Sequence, residues 1–353
     1  MKPLRKINLA FNGSSLNSPF QGGWSRYTSE LIYHLKERYS DHLEITIFKN
    51  LTQQPHSLWE QFSLPNLCHT NNIDILHAPA NGGLPVLGSF HKILTVHDLF
   101  SENDFKLGSH LKSFRSLKSA LRYKTDWHLS LNAADLIITI SEFSKNELIK
   151  YGIKKEIIPI YEGANSLFKE TKTPYRHSRP YLLYVGSFDS RKQTDLLISD
   201  FLKTPHDLDL ILIGKDAHKK KDLYTSDRII FLENINDSLL AEYYHGALAF
   251  ITYSQTEGFG LPLVEAMSAG KPVLYRGSGA IPEIVGHGGI YIDSLGLSAS
   301  LEKLIKSSDF LTEVSRKALK QSEKYDWSKT AQETYEIYLR LFNSRIKSFT
   351  TSS

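Results

Sequence analysis

The sequence predicts an α/β protein built from two doubly wound domains, each a parallel sheet covered by helices. Short apolar runs recur along the chain with helical stretches between them. Runs that are apolar on both faces are typical of buried parallel strands, and their alternation with helices indicates doubly wound sheets. The runs fall into two comparable halves, and the length of 353 residues also favours two domains over one.

Each predicted strand is one apolar run. In the first half the runs are 6–12, 44–48, 73–78, 92–98, 135–141 and 156–161. In the second half they are 181–186, 208–214, 228–233, 247–253, 272–276 and 288–293. The segment 169–180 between the halves is polar and holds two prolines, which predicts a linker. We therefore expect an N-terminal domain over 1–168, a C-terminal domain over 181–325, and a closing helix with a tail over 326–353.

Composition excludes several classes of protein. The net charge of +4 is modest for this length and does not favour nucleic acid as a partner. Cys68 is the only cysteine, which excludes an internal disulfide and any multi-cysteine metal site. The apolar run near the N-terminus is too short for a signal peptide, and no run approaches the length of a membrane span. We expect a cytoplasmic protein, with peripheral contact to the inner face of the cytoplasmic membrane as the alternative location.

Doubly wound domains bind ligands beyond the carboxyl ends of their strands, so the residues that follow strands are the informative ones. The stretch TEGFGLPLVEAMSAGKP (256–272) follows such a strand and leads into a helix. Its backbone N–H groups over 258–261 are expected at the helix N-terminus. Glu257 and Glu265 would repel a phosphate there, so neutral hydroxyl groups are their natural partners. The open alternative is that both carboxylates are helix-dipole partners on a solvated turn.

A second polar pair follows the strand 181–186. Arg191 and Lys192 are predicted to open the next helix, where cations oppose the helix dipole. A phosphate placed between the two side chains would resolve that conflict, since arginine and lysine both bind phosphate. A solvated basic pair is the alternative.

Two weaker signals lie in the first half. His97 is the polar residue that ends the apolar part of the run 92–98, a position that suits either acid–base chemistry or simple packing. Gly22 and Gly23 precede the first helix, as in a phosphate-binding loop. The surrounding sequence matches neither the dinucleotide fingerprint nor the P-loop, which excludes NAD and ATP motifs here.

Taken together, these segments resemble the retaining glycosyltransferases of family 4, which have the GT-B fold. EGFGLPLVE (257–265) is similar to the E-x7-E signature of that family, and the order of the other blocks agrees over nearly the whole chain. The blocks in question are YLLYVGSFDSRK (181–192), LDLILIGKD (208–216), SEFSKNEL (141–148) and GSGAIPEIVGHGGIYID (277–293). YDWSKTAQETYEIYLRLF (325–342) resembles the closing helix that crosses back to the N-terminal domain. Its expected docking face is Trp327, Ala331, Tyr335, Tyr338 and Phe342.

The resemblance implies a role for each candidate residue. Glu265 would hold the ribose hydroxyls of a nucleotide-sugar donor, and Glu257 the hydroxyls of the transferred sugar. Arg191 and Lys192 would neutralise the leaving diphosphate. The other implied contacts are the backbone N–H groups of Gly258, Phe259, Gly260 and Leu261 to the sugar and phosphate, His97 to the donor sugar, and Gly22 with Gly23 to the phosphates and acceptor.

The chain departs from the family pattern at one position. Many members carry an arginine directly after the glycine where this chain has Gly186 and Ser187, and Arg191 would supply that charge here. The resemblance implies no cofactor and no metal. Asp207 and Asp209 match the DxD pattern of metal-dependent glycosyltransferases, but they lie at the amino end of a predicted strand, which favours a chance match. Front-face attack and double displacement both stay open as mechanisms.

Donor and acceptor are inferred from the resemblance alone. Relatives of this kind build lipopolysaccharide and other surface polysaccharides, so we expect GDP-mannose first and UDP-hexoses second. The acceptor would be a saccharide or a polyprenol-linked saccharide. The segment from Lys106 to Lys124 contains six basic residues, no acidic ones and a parallel stripe of apolar residues. It is predicted either to contact an anionic membrane surface or to be an ordinary amphipathic helix.

Two alternatives of different kinds stay open. Another GT-B activity, such as a sugar-nucleotide epimerase or a phosphorylase, would fit the same fold. A catalytically inactive sugar-binding or scaffold subunit would keep the fold without the chemistry, and the joint presence of Glu257, Glu265, Arg191, Lys192 and His97 argues against it.

Overall fold

The computed structural model describes residues 5–17, 23–51, 54–98, 114–171 and 173–350, with backbone only over 114–123 and 345–350. The described chain divides into two compact units. The first unit comprises Met1–Glu162 together with Trp327–Ser353, and the second comprises Gly163–Asp326. The first boundary therefore falls before residue 168, the end of the predicted domain.

The first unit contains a six-stranded parallel sheet in the order β2-β1-β3-β4-β5-β6. Its strands are β1 Ile7–Asn12, β2 Leu43–Phe48, β3 Ile75–Ala78, β4 His91–Val96, β5 Leu136–Thr139 and β6 Ile157–Pro159. Its helices are α1 Gly23–Tyr39, α2 His56–Leu58, α3 Leu64–Thr70, α4 Phe114–Ala133, α5 Glu142–Lys150 and α14 Trp327–Thr350. A π-helical turn over Trp59–Ser63 joins α2 to α3, and a 3-10 turn over Gly13–Asn17 follows β1.

The second unit repeats the architecture with a six-stranded sheet in the order β14-β12-β10-β7-β8-β9 and a separate two-residue pair, β11 with β13. Its strands are β7 Tyr181–Val185, β8 Asp209–Ile213, β9 Ile229–Leu232, β10 Ala249–Thr252, β11 Thr256–Glu257, β12 Val273–Tyr275, β13 Ser278–Gly279 and β14 Gly289–Tyr291. Its helices are α6 Leu167–Glu170, α7 Thr194–Leu202, α8 His218–Lys221, α9 Asp237–Gly246, α10 Leu261–Ser268, α11 Ile281–Val285, α12 Gly296–Lys306 and α13 Ser308–Ser322. Short 3-10 turns cover Ser190–Lys192 and Gly286–Gly288.

The predicted fold class is confirmed, because every predicted apolar run overlaps an observed strand and both large sheets are parallel. The central strands are buried on both faces, as β8 and β10 show along their whole length. Each sheet has its own cluster of buried apolar side chains against the covering helices. Burial on both faces explains why these strands read as unbroken apolar runs rather than as alternating ones.

The docking of the closing helix is also confirmed. All five side chains of its predicted face are buried, namely Trp327, Ala331, Tyr335, Tyr338 and Phe342. Tyr335 stacks on Tyr39 of α1 with ring centroids 4.0 Å apart, and its hydroxyl contacts Nδ1 of His42 at 2.8 Å. The helix therefore belongs to the first unit although it follows the second unit in sequence.

The segment 169–180, which is predicted to be a linker, belongs to the second unit and packs against other residues of that unit. The ring of Tyr175 lies 4.0 Å from that of Tyr243, and its backbone N–H donates to the carbonyl of Glu242 at 2.9 Å. Nε2 of His177 contacts a carboxylate oxygen of Asp209 at 2.6 Å. Aromatic contacts and hydrogen bonds thus hold this stretch, although its polarity and its prolines predict a linker.

Candidate active site

The candidate site of the second unit lies at the carboxyl edge of its sheet. Strands β7 and β10 are parallel neighbours there, ending at Val185 and Thr252. The loops that follow them leave the sheet at the same edge, as parallel strands require. One loop carries Arg191 and Lys192, and the other carries Glu257, so residues far apart in sequence meet at one place.

Arg191 and Lys192 lie on the 3-10 turn Ser190–Lys192, not in the helix that follows. Gln193 has the left-handed backbone conformation with φ of 48°, and α7 begins only at Thr194. The prediction that the two cations open that helix is therefore wrong by one short turn, because a left-handed residue interrupts the helical path. Their side chains are directed by the turn itself rather than by a helix axis.

Glu257 is held by the small sheet that β11 and β13 form. Thr256 pairs with Ser278 and Glu257 pairs with Gly279, and the N–H of Ala280 donates to the carbonyl of Glu257 at 2.9 Å. A side chain at Gly279 would meet the backbone oxygen and nitrogen of Glu257 at 2.6 and 2.8 Å. Only glycine allows the two segments to lie this close, and this contact fixes the backbone of Glu257.

Arg191, Lys192 and Glu257 form what we call the charge cluster. Nζ of Lys192 is ion-paired with Oε1 of Glu257, and a guanidinium nitrogen of Arg191 lies 3.3 Å from Oε2. The same nitrogen donates to the carbonyl of Thr256 at 2.8 Å. Burial raises the pKa of Glu257, but the charges of Lys192 and Arg191 outweigh it, so that pKa lies below its ordinary value. Two cations and one anion leave the cluster with a net positive charge, which suits an anionic ligand.

The glycine-rich turn after Glu257 leads into α10. Gly260 has φ of 95°, and α10 begins at Leu261 with Pro262 in its first turn. Proline suits this position because its missing N–H has no partner to lose there. Phe259 is buried and meets the ring of Tyr325 edge-on, with centroids 5.5 Å apart. Gly258 to Leu261 thus form the predicted turn at a helix start, although the Phe259 side chain serves the core.

Glu265 lies inside α10 and is buried, with 2% of its surface exposed. The hydroxyl of Tyr244 on α9 donates to its Oε2 at 2.8 Å. The solvated-turn alternative is thereby excluded for Glu265, since a buried carboxylate is not a surface dipole partner. Tyr244 is not among the predicted site residues, because nothing in the spacing of residues 244 and 265 links the two helices.

His97 lies in the first unit, directly after β4, and is 4% exposed. Its Nδ1 lies 3.2 Å from a carboxylate oxygen of Glu162, and its Nε2 lies 2.9 Å from the carbonyl of Pro79. Its backbone N–H donates to the side-chain oxygen of Asn81 at 2.7 Å. Glu162 is not among the predicted site residues, although its position after β6, the last strand of the first unit, is a sequence signal that points to it.

The other predicted residues of the first unit lie near α1. Gly23 is the first residue of α1, and the ring of the next residue, Trp24, lies 6.1 Å from that of His97. Tyr27 meets the His97 ring edge-on at 4.8 Å. Gly22 lies outside the described residues, and so do residues 106–113 of the segment from Lys106 to Lys124. The rest of that segment begins α4, with only its backbone described over 114–123.

The DxD pattern lies away from the charge cluster, at the amino end of β8. Asp209 is buried and lies close to His177 and to Arg179, whose guanidinium nitrogen is 2.8 Å from its Oδ1. These contacts give Asp209 a structural role in holding the segment 169–180. Within the described part of the chain, no group of three or more His, Cys, Asp or Glu side chains has the arrangement of a metal site.

Two sequence models of known families match the chain. Residues 22–166 match the model described as Glycosyltransferase Family 4, and residues 167–322 match the model described as Glycosyl transferases group 1. The two matches adjoin, and their junction lies close to the boundary between the two units.

One similar protein of assigned activity is O-antigen chain mannosyltransferase B of Escherichia coli. It is 28% identical over 247 residues, which cover 63% of this chain and 65% of that protein. The chain thus spans less than two thirds of the length of this relative.

No helix among the described residues combines the length and the apolar character that crossing a membrane requires.

Two solved structures have the same fold. Sucrose-phosphate synthase from Thermosynechococcus elongatus has a TM-score of 0.76 at 17% identity, covering 96% of this chain and 100% of that one. Alr3699/HepE from Anabaena, solved in complex with UDP and glucose, has a TM-score of 0.71 at 19% identity, covering 94% and 99%. Identities this low show a common fold and nothing more. This common fold and the two family matches together show that the chain belongs to glycosyltransferase family 4, has the GT-B fold, and carries a group 1 glycosyltransferase domain as its second unit.

Proposed function

We propose that this protein is a retaining, metal-independent hexosyltransferase that uses a nucleoside diphosphate sugar. The observation that carries the proposal is the charge cluster at the carboxyl edge of the second sheet. Arg191 and Lys192 concentrate positive charge in a partly buried place, where it acts more strongly than at a fully solvated surface. A leaving nucleoside diphosphate is the group that such charge stabilises.

The two carboxylates divide the remaining work. Glu265 is buried in α10 and would bind the ribose hydroxyls of the donor. Glu257, between the two cations, would bind hydroxyls of the transferred sugar. Gly258 to Leu261 would support the sugar and phosphate through backbone N–H groups at the start of α10. The catalytic contribution of this chain is thus orientation of the donor and neutralisation of its leaving group.

The donor is proposed to be GDP-mannose, with UDP-hexoses as the second choice. Support comes from the similarity to the E. coli O-antigen mannosyltransferase. The acceptor is proposed to be a saccharide or a polyprenol-linked saccharide of a cell-surface polysaccharide. A lipid-linked acceptor would require contact with a membrane surface, for which the basic segment from Lys106 to Lys124 is suited.

The experiment is a donor screen that follows release of nucleoside diphosphate from GDP-mannose, UDP-glucose, UDP-galactose and UDP-N-acetylglucosamine, with and without a mannose oligosaccharide. The proposal expects release from one donor, faster with acceptor, unchanged by EDTA, and a product with the anomeric configuration of the donor by NMR. Loss of activity in EDTA or an inverted product would refute the metal-independent or the retaining assignment. Release from none of the donors would refute the transferase assignment.

A further inference from the structure

The second unit contains a buried hydrogen bond that joins two helices at the proposed ribose site. The Tyr244 hydroxyl on α9 donates to Oε2 of Glu265 on α10 over 2.8 Å. Tyr244 has no exposed surface and Glu265 only 2%. A carboxylate removed from water to this extent is unfavourable unless donors compensate it. The Tyr244 hydroxyl, which donates to Oε2, therefore stabilises the charge of the Glu265 carboxylate and also fixes its orientation.

The ring of Tyr244 is fixed by aromatic neighbours. Phe168 meets it edge-on with centroids 5.5 Å apart at an interplanar angle of 90°, and the ring of Phe250 lies 6.0 Å away. Both phenylalanines are buried. A phenol packed in this way has little freedom to follow a moving partner, so the hydroxyl sets the position of the carboxylate.

The helix that carries Tyr244 is itself held at both ends. At its start the side chain of Asn236 accepts from the N–H of Leu239 at 2.9 Å. At its end Nε2 of His245 contacts the carbonyl of Phe168 at 2.8 Å. Gly246 leaves no room for a side chain beside the carbonyl of Tyr175. The hydroxyl of Tyr244 is therefore anchored to the frame of the unit.

We propose that Tyr244 is a positioning residue for substrate recognition: it fixes the Glu265 carboxylate in the orientation that accepts both hydroxyls of a nucleotide ribose. This inference rests on the proposed function. The terminal torsion of glutamate is broad and settles into no sharp minimum by itself. A hydroxyl donor on one carboxylate oxygen restricts that torsion. A carboxylate has about four acceptor positions, so it can accept from Tyr244 and from a cis-diol together.

An oriented Glu265 carboxylate should affect how well the protein distinguishes a ribonucleotide from its 2′-deoxy form, and not only how tightly it binds a nucleotide. A site whose buried polar groups are built to bind a hydroxyl rejects the analogue that lacks it, because those groups are then left unpaired. The protein should therefore bind a ribonucleotide more tightly than its 2′-deoxy form. That preference should depend on Tyr244 even though Tyr244 itself need not touch the nucleotide.

The test is titration calorimetry with GDP, 2′-deoxy-GDP, UDP and 2′-deoxy-UDP against the full chain. For whichever base binds, the wild type should prefer the ribonucleotide about tenfold, the value of one good hydrogen bond to a charged acceptor. Tyr244→Phe should reduce that preference to less than about threefold, mainly by weakening the ribonucleotide. In a Glu265→Gln background Tyr244→Phe should change the preference no further, since Tyr244 acts through Glu265.

The matched control is Tyr181→Phe. Tyr181 is buried in the same unit, and its hydroxyl donates to the carbonyl of Tyr243 at 2.7 Å, so the variant also loses one buried hydrogen bond. It should keep the wild-type preference. Tyr244→Met, which fills the space without a hydroxyl, replaces Tyr244→Phe if that variant does not fold.

Three outcomes overturn the inference in different ways. An unchanged preference in both Tyr244 variants shows that the phenol does not position Glu265, while the proposed function stands. An equal loss in Tyr181→Phe shows general loosening of the unit instead of positioning. Absence of binding of either ribonucleotide to the wild type refutes the proposed function itself, and the inference with it.

Discussion

At the scale of single residues, the carboxylate of Glu257 neutralises part of the charge that the proposed leaving group needs. It is paired with Lys192 and lies 3.3 Å from Arg191. An entering diphosphate must therefore share or take over cations that already have an anionic partner. Glu257 would weaken product binding in this way while it supports transfer, a combination that favours product release.

This competition predicts opposite effects on binding and on turnover for Glu257→Gln. Removing one negative charge from the cluster should tighten nucleoside diphosphate binding by roughly fivefold to tenfold, which corresponds to about 1–1.4 kcal/mol of repulsion left after screening by solvent and salt. Turnover should fall, since the sugar loses a charged acceptor. Titration calorimetry and initial rates measure the two. Glu302→Gln, which removes a surface ion pair with Lys306, is the control and should change neither. Weaker diphosphate binding in Glu257→Gln would contradict the competition.

At the scale of elements, the β11–β13 pair positions Glu257, and its most sensitive point is Gly279. Its φ is 76°, and an added side chain would collide with the backbone of Glu257. Gly279→Ala should therefore displace β11 and lower turnover about tenfold or more, since misplaced catalytic groups are costly. Initial rates of donor use measure the effect.

Gly270 supplies a control for backbone strain at the same element scale. Its φ of 70° is similar, but no atom lies within 4 Å of the added side chain. Gly270→Ala should cost about 1–2 kcal/mol in the free energy of unfolding from the left-handed conformation, with turnover kept. Equal turnover in the two variants would show that β11 does not depend on the close approach at Gly279.

The docking of α14 on the first unit contains a titratable contact. Nδ1 of His77 lies 2.6 Å from the hydroxyl of Tyr338, and Nε2 lies 2.7 Å from that of Thr95. His77 is fully buried, and burial with the nearby charge of His97 lowers its pKa to about 3. The folded chain therefore keeps His77 neutral, with both ring nitrogens hydrogen-bonded.

This pKa predicts how stability depends on pH. Below the ordinary histidine pKa the unfolded chain binds a proton at His77 that the folded chain does not bind, so stability falls as pH falls toward about 3. The slope should be about 1.4 kcal/mol per pH unit between pH 6 and pH 4 from this residue. Urea unfolding of the wild type and His77→Gln over that range should give a shallower slope in the variant. Equal slopes would contradict the assignment.

At the scale of the whole molecule, the distribution of charge bears on where the protein acts. If the acceptor is lipid-linked, the segment from Lys106 to Lys124 should bind anionic vesicles and release them as salt is added. Replacing Lys112, Arg115, Lys118 and Arg122 by serine should abolish flotation with anionic liposomes, while release of nucleoside diphosphate from the donor continues. Equal flotation of the wild type and this variant would favour a water-soluble acceptor.

The sequence allowed the fold to be predicted because the central parallel strands are buried on both faces and apolar over most of their length, as β8 and β10 are. It also placed Arg191, Lys192 and Glu257 after strands, and the structure brings them together. Other features give no such signal. The left-handed Gln193 shifts the cations out of α7, and the two-residue ladder of β11 has no periodicity. Tyr244 supports Glu265 through a tertiary contact that no local pattern encodes, whereas Glu162 beside His97 does follow a strand.

The central claim is that the second unit binds a nucleoside diphosphate through the charge cluster. The most direct measurement is titration calorimetry of GDP, UDP and ADP with the wild type and with the Arg191→Ala, Lys192→Ala double variant. Lys203→Ala, which removes an exposed cation paired with Asp200, is the control. We predict that one of these three nucleotides binds the wild type and the Lys203→Ala control with equal affinity. The same nucleotide should bind the double variant about 100-fold more weakly, as expected when a charged ligand loses two partners. Equal affinity of wild type and double variant, or no binding of any of the three, would contradict the claim.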